Sequence, residues 1–194
     1  MYKVIIFDFF GVFCAPIATN WFKKTVPDYQ VKSADFQALC KRSDLGELSR
    51  SNFNNETSKL TGIPVSEIAK GIEAEMVIDT ALVGYTEKLK KSGFRVVCLS
   101  NGSHEWTLQV INEHGLRHLF EEVILSSDLG IVKPDAEIYV QALRKLNIQP
   151  SQAVFVDDRK INTDAAEALG IRSLIFMDTA TFIKDFEKVK KETI

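Results

Sequence analysis

Four short polar stretches hold the residue types that could do chemistry. Asp8 follows the apolar run Val4-Ile5-Ile6-Phe7 and is trailed by Gly11, which permits a sharp turn. A carboxylate delivered by an apolar strand can act as nucleophile or metal ligand, and taken alone it fits a turn-capping role equally well. Ser100-Asn101-Gly102-Ser103 ends one β-branched run and opens a helical pattern, so hydroxyl, amide and free backbone N–H groups converge as they would on an anion. An N-cap serine explains the same stretch. Lys133 stands before Pro134, which biases it to an extended conformation ahead of a helix, although a lone lysine there is usually solvated surface. Asp157 and Asp158 close the run AVFVDD, with Asn162 beyond them. Adjacent carboxylates after a buried strand repel each other, and a divalent cation relieves that cost where simple capping does not.

These residues need elements to bring them together. Short β-branched or aromatic runs occur at KVIIFDF, Phe94 to Ser100, Glu122 to Ser127, Ala153 to Asp158 and Ser173 to Met177. Their near-continuous apolarity predicts strands covered on both faces, as in a parallel sheet between helices. Helical periodicity falls between them, at Thr80 to Ser92, Ser103 to His114, Asp135 to Leu146 and Ile161 to Leu169, with Gly93, Gly115 and Gly170 placed to terminate three of these. The alternation predicts an α/β fold, a Rossmann-like doubly wound parallel sheet. Each of the four polar stretches then lies at the carboxyl end of a strand or just beyond it. Residues 16–77 differ: they have polar helical patterns, N-cap candidates at Ser33, Ser49 and Ser66, and no convincing strand. We expect a small helical cap domain there, with residues 1–15 and 78–194 forming the core.

Composition narrows the function classes. The chain has 194 residues, 24 basic and 26 acidic, for a formal charge of −2. Lys and Arg are scattered among acids, which argues against a nucleic-acid partner. No stretch approaches the roughly 20 apolar residues that span a bilayer, so no membrane partner is expected. The apolar opening lacks a basic n-region and is broken by Asp8, unlike a signal peptide. Cys14, Cys40 and Cys98 are far apart and lack zinc-ligand spacing, which predicts reduced thiols in a cytoplasmic protein. His104, His114 and His118 form no ligand constellation, Trp21 and Trp106 fit either packing or substrate contact, and KDFEKVKKE near the end reads as a solvated helix. No pattern speaks to oligomeric state.

Taken together, DFFGV, LSNGS, GIVKPDAEIY and VFVDDRKIN resemble the four motifs of the haloacid dehalogenase-like superfamily, in which magnesium-dependent phosphatases predominate. The resemblance covers nearly the whole chain, and the insert between the first two motifs is similar to the helical cap of one subgroup. RSDLGELSRSNF in that insert looks most like the glucose-1-phosphate phosphatase-like branch. The resemblance implies that Asp8 is a nucleophile forming an aspartyl-phosphate that water then hydrolyses. It implies Mg²⁺ held by Asp8, the Phe10 carbonyl and the Asp157/Asp158 pair, one of which acts directly or through water. Ser100 and Asn101 would bind phosphoryl oxygens, and Lys133 would orient Asp8 and neutralise charge. The implied partner is a small phosphorylated metabolite, with a sugar phosphate among the candidates.

One position departs from the resemblance. Phosphatases of the superfamily typically carry a second Asp two residues after the nucleophile as general acid and base, and here Phe10 occupies it. Such help is worth roughly 10² to 10⁴ in rate, or about 3 to 5 kcal/mol. A good leaving group, a proton supplied by water or by a cap residue such as Glu47, or weak or lost activity would each account for the change. The metal-independent 2-haloacid dehalogenases also resemble this aromatic substitution, but their chemistry has no need of an acidic pair. A phosphate-binding regulatory module without catalysis is the reading from another class.

Overall fold

Val4–Phe7 (β1) is buried on both faces and forms the centre of the molecule. The computed structural model describes residues 2–191. Its sheet has the order β3-β2-β1-β4-β5, with β2 at Arg95–Ser100, β3 at Glu122–Leu125, β4 at Ala153–Asp157 and β5 at Arg172–Ile175. All four pairings are parallel. Phe7 is level with both Cys98 and Val156, so Asp8 emerges beside Asp157 at the carboxyl edge.

The continuous apolar runs have a direct cause in the layers. Ile5, Phe7, Cys98 and Val156 face one core, and Val4, Ile6, Leu99 and Phe155 face the other, so neither side of the central strands meets water. Helices α5 (Thr80–Lys91), α6 (His104–Glu113) and α10 (Thr179–Lys191) serve the first core; α8 (Ala136–Leu146) and α9 (Lys160–Ala168) serve the second. Two expectations need correction here. The stretch Glu122 to Ser127 is not all strand, because Ser126–Leu129 forms a helical turn (α7). The terminal KDFEKVKKE segment is not merely solvated: its Phe186 and Val189 follow Phe182 at helical spacing and all three are buried, with Phe182 edge-on to Phe7 at 5.4 Å. Glu192 of that segment lies outside the described residues.

Between β1 and α5 stand four helices, α1 (Ile17–Thr25), α2 (Tyr29–Asp44), α3 (Arg50–Thr61) and α4 (Val65–Ala74). Of the cap candidates, only Ser49 acts, its hydroxyl accepting from the Asn52 N–H at 3.2 Å. Ser33 lies inside α2, which begins earlier because Pro27 interrupts α1 and Asp28 turns the chain with φ 54°. Ser66 lies inside α4, which starts at Val65 directly after Pro64. The insert's aromatic core is continuous with that of the sheet: Phe22 stacks on Phe36 at 3.9 Å, Phe36 meets Phe53 at 5.9 Å, and Phe53 meets Trp106 of α6 at 6.2 Å. This packing fixes the insert above the carboxyl edge. Among the described residues, no helix is long and apolar enough to cross a membrane.

Candidate active site

Asp8 leaves β1 with its backbone N–H bonded to the Val156 carbonyl at 2.8 Å, and its Oδ1 accepts from the Phe9 N–H at 2.7 Å. Its side chain is almost wholly buried. Lys133 approaches from the loop after α7, and its fully buried ammonium uses its three N–H groups on three oxygens. They are Asp8 Oδ1 at 2.9 Å, Asp157 Oδ2 at 2.7 Å and the Leu99 carbonyl at 3.0 Å. A buried lysine is costly unless paired, and here the pairing is complete. Burial by itself would depress the Lys133 pKa, but the Asp8 and Asp157 charges outweigh it and hold the ammonium above its ordinary range. Asp8 shows the converse. Burial pushes its carboxyl up to about 7 against the pull of Lys133, and the charge of Asp157 adds to the push.

The acidic pair divides its work. Asp157 is fully buried, and besides Lys133 its oxygens accept from Asn162 Nδ2 at 2.9 and 3.0 Å and from the Arg159 N–H at 2.9 Å. Asp158 faces solvent, and among the described residues its carboxylate accepts a hydrogen bond only from its own backbone N–H. Burial of its inner side and then the charge of Asp157 raise its pKa. Oxygens of Asp8, Asp157 and Asp158 lie within 4.8 Å of one another. Three carboxylates this close with one lysine among them suit a hard divalent cation. Among the described residues, no hydrogen bond reaches the Phe10 carbonyl, which leaves it available beside them.

Asn101 is used differently from a simple anion donor. Its Oδ1 accepts from the Lys133 N–H at 2.8 Å and its Nδ2 donates to the Lys133 carbonyl at 3.0 Å, so its side chain clamps the backbone that carries the lysine. Ser100 is buried, and its hydroxyl has only a distant approach to the Asn101 carbonyl at 3.5 Å. Gly102 N–H donates to Ser126 Oγ at 3.1 Å, and Ser126 Oγ–H donates to the Asp44 carbonyl at 2.6 Å. That chain ties the end of α2 to two core loops.

A cavity of about 150 Å³ opens above these groups between insert and sheet, with Phe10, Ile17, Phe53, Asn101, Trp106 and Asp44 among its walls. Glu47 does not enter it: the side chain is half exposed and pairs with Arg42 at 3.5 Å. Asp44 carries no local sequence signal that marks it out. It stands three residues before Glu47, and only knowledge of where α2 ends shows which acid of DLGEL turns inward. Cys14 is a packed thiol, pushed up to about 12 by burial. The histidines lie at the surface, His104 with Asp128 at 2.9 Å, His114 with Met76 at 3.1 Å and His118 with Glu87 at 3.1 Å. Trp21 is core, whereas Trp106 lines the cavity.

A buried carboxylate on the central strand, at the point where strand order reverses, defines a Rossmann-like α/β protein whose chemistry lies at the sheet's carboxyl edge. The match to a family model extends over residues 2–170, and the chain belongs to the haloacid dehalogenase-like hydrolases. Among curated relatives, a sesquiterpene phosphatase from Aspergillus oryzae is 25% identical over 92% of this chain and 91% of its own length. Glyceraldehyde 3-phosphate phosphatase from Methanopyrus kandleri is 32% identical over 37% of this chain, and acyl-CoA dehydrogenase family member 10 from Mus musculus is 26% identical over 96% of it. The chain spans 19% of the mouse protein and 31% of the archaeal one. A haloacid dehalogenase family enzyme from Bacteroides thetaiotaomicron, solved with magnesium and inorganic phosphate, superposes with a TM-score of 0.77 at 22% identity, covering 94% of this chain and 99% of that one. L-2-haloacid dehalogenase from Xanthobacter autotrophicus superposes at 0.70 with 16% identity, covering 96% and 82%.

Proposed function

We propose that this chain is a magnesium-dependent phosphatase of small phosphate monoesters, with Asp8 as nucleophile and the four-helix insert as the cap over it. The observation that carries the proposal is the Asp8 carboxylate held against Lys133 Nζ while Asp158 stands within reach of a shared cation. Asp8, Asp158 and the Phe10 carbonyl would hold Mg²⁺, because the oxygens of Asp157 are already engaged by Lys133, Asn162 and Arg159. Bound there, the ion offsets the repulsion between an anionic nucleophile and an anionic phosphate.

The chain's own residues supply the rest. Lys133 fixes one Asp8 oxygen, which leaves the other to attack phosphorus, and its charge stabilises the phosphoryl group in flight. The Asn101 amide keeps Lys133 in place through the lysine's backbone, while the Ser100 hydroxyl and the Asn101 backbone N–H bind phosphoryl oxygens. Relatives named as phosphatases and a structural neighbour solved with magnesium and inorganic phosphate agree with this reading. The cavity walls favour a carbon skeleton with an apolar face over a bare polyol, since Phe10, Ile17, Phe53 and Trp106 offer a sugar hydroxyl few partners.

Mg²⁺-dependent release of p-nitrophenol from p-nitrophenyl phosphate, lost in Asp8→Asn, tests the proposal. Metal and phosphate binding without turnover would replace it with a regulatory binding role. Metal-independent halide release from 2-haloacids would replace it with dehalogenation.

A further inference from the structure

We propose that Asp44 is the group that protonates the leaving oxygen, the role for which position 10 supplies only a phenyl ring. This rests on the phosphatase reading and adds a residue to it. Phe10 cannot transfer a proton, yet its ring lines the cavity into which a leaving group must project. Asp44 lines the same cavity and is its only carboxylate among the described residues. The cavity's other titratable wall residue, the Cys40 thiol, is pushed up to about 12 by burial and makes a poor donor at neutral pH.

Asp44 is also held in place and left free. As the last residue of α2, it is anchored by the Ser126 Oγ–H donated to its carbonyl at 2.6 Å, and Ser126 is in turn anchored by the Gly102 N–H. The side chain, by contrast, makes no hydrogen bond or ion pair among the described residues, although it is half buried. A half-buried carboxyl without a partner is expensive unless something else fills that role. Its surroundings agree with a group that carries a proton into the reaction. Burial pushes Asp44 up to about 7 and the Asp8 charge adds to this, with Lys133 and Arg159 opposing. The negative end of α2 favours the neutral carboxyl as well.

In the step, the bond from Asp8 Oδ to phosphorus forms as the bond from phosphorus to the leaving oxygen breaks. The leaving oxygen keeps the electron pair, takes the proton of Asp44 and departs as the alcohol. Asp44 is left as a carboxylate; the water that later attacks phosphorus gives its proton to Asp44 as the Asp8 Oδ–phosphorus bond breaks and the electron pair returns to the Asp8 carboxylate, so the cycle closes with inorganic phosphate.

The test is kcat/KM for a series of phosphate monoesters of graded leaving-group acidity, measured with Mg²⁺ in wild type and Asp44→Asn. Asparagine keeps the shape, and a near-intact kcat/KM on 2,4-dinitrophenyl phosphate, which reports only the step in which a leaving group that needs no proton departs, shows that the variant is folded and loaded. The expected result is a loss of roughly 10²-fold or more on phenyl and alkyl phosphates, with less than about threefold on the dinitrophenyl ester. An equal loss on every ester assigns Asp44 to positioning and overturns the inference, as does no loss on any. Turnover by wild type with either of those outcomes leaves the phosphatase reading standing, whereas a wild type inert toward every ester removes both.

Discussion

Gly11→Ala isolates the most sensitive contact in the site. Gly11 has φ +95°, and a Cβ added there would lie 2.5 Å from both Cγ and Oδ2 of Asp158 and 2.8 Å from its Oδ1. Ordinary contact begins near 3.5 Å, so the carboxylate must retreat by about 1 Å, and a misplacement of that size at a reacting centre costs on the order of 10² in rate. A left-handed alanine costs a further 1 to 2 kcal/mol or so of backbone strain. For a chain of this size that is a fall in Tm of roughly 2 to 8 °C. Gly93→Ala is the matched control: its φ is +91°, and nothing lies within 4 Å of the added Cβ. Both variants should lose similar stability in thermal melts of the metal-free protein. Only Gly11→Ala should also lose Mg²⁺ affinity, by at least about tenfold in a calorimetric titration, together with turnover. If both variants bind Mg²⁺ as wild type does, Asp158 is not a metal ligand and the division of labour within the acidic pair is refuted.

The carboxylates also predict how pH and metal act on stability. Asp8 moves from an ordinary value of 3.8 to about 7 in the fold, chiefly through burial, so between about pH 4 and pH 7 the folded chain holds a proton that the unfolded chain has released. Stability from this group therefore falls as pH rises through that window in metal-free protein. Mg²⁺ at 100 times its Kd contributes about 2.7 kcal/mol, or roughly 5 to 11 °C in Tm. The gain should be larger at pH 7.5 than at pH 5, and equal gains in paired melts would contradict the site. Lys133→Met should cost about 3 to 5 kcal/mol by urea denaturation, because it strands the carboxylates of Asp8 and Asp157 in a dry site. A loss under 1 kcal/mol would show that water already reaches them.

Much of this was legible in the sequence, for definable reasons. The central strands declared themselves because burial on both faces demands unbroken apolar runs, as in Val4 to Phe7 and Ala153 to Val156. Asp8, Lys133 and the acidic pair were legible because each sits where a run or helix pattern breaks. Local signals failed where tertiary contacts decide. Ser33 and Ser66 look like caps, but Pro27, Asp28 and Pro64 set the helix starts instead. Position in the motif leads one to expect Asn101 to bind phosphate, and what its sequence context does not reveal is that its amide grips the Lys133 backbone, a partner far along the chain. Asp44 and Glu47 are equivalent by type, and the orientation of α2 alone separates them.

The position of β1 between β2 and β4 has a consequence for how the protein is made. Of the five strands, β1, which leads into Asp8, is made first, and β4, which ends on Asp157, is made fourth, about 145 residues later. Their pairing closes a long loop, whereas the insert's helices need only near neighbours, so the helices form early and the β1·β4 pairing is slow. A nascent chain that has not yet reached Ala153 displays an apolar edge of β1 and lacks Asp157 beside the Asp8–Lys133 pair, the state in which it is most exposed to mispairing. Recovery of turnover during refolding then lags behind recovery of the helical circular-dichroism signal, and enzyme activity becomes a clock for the closing of the sheet.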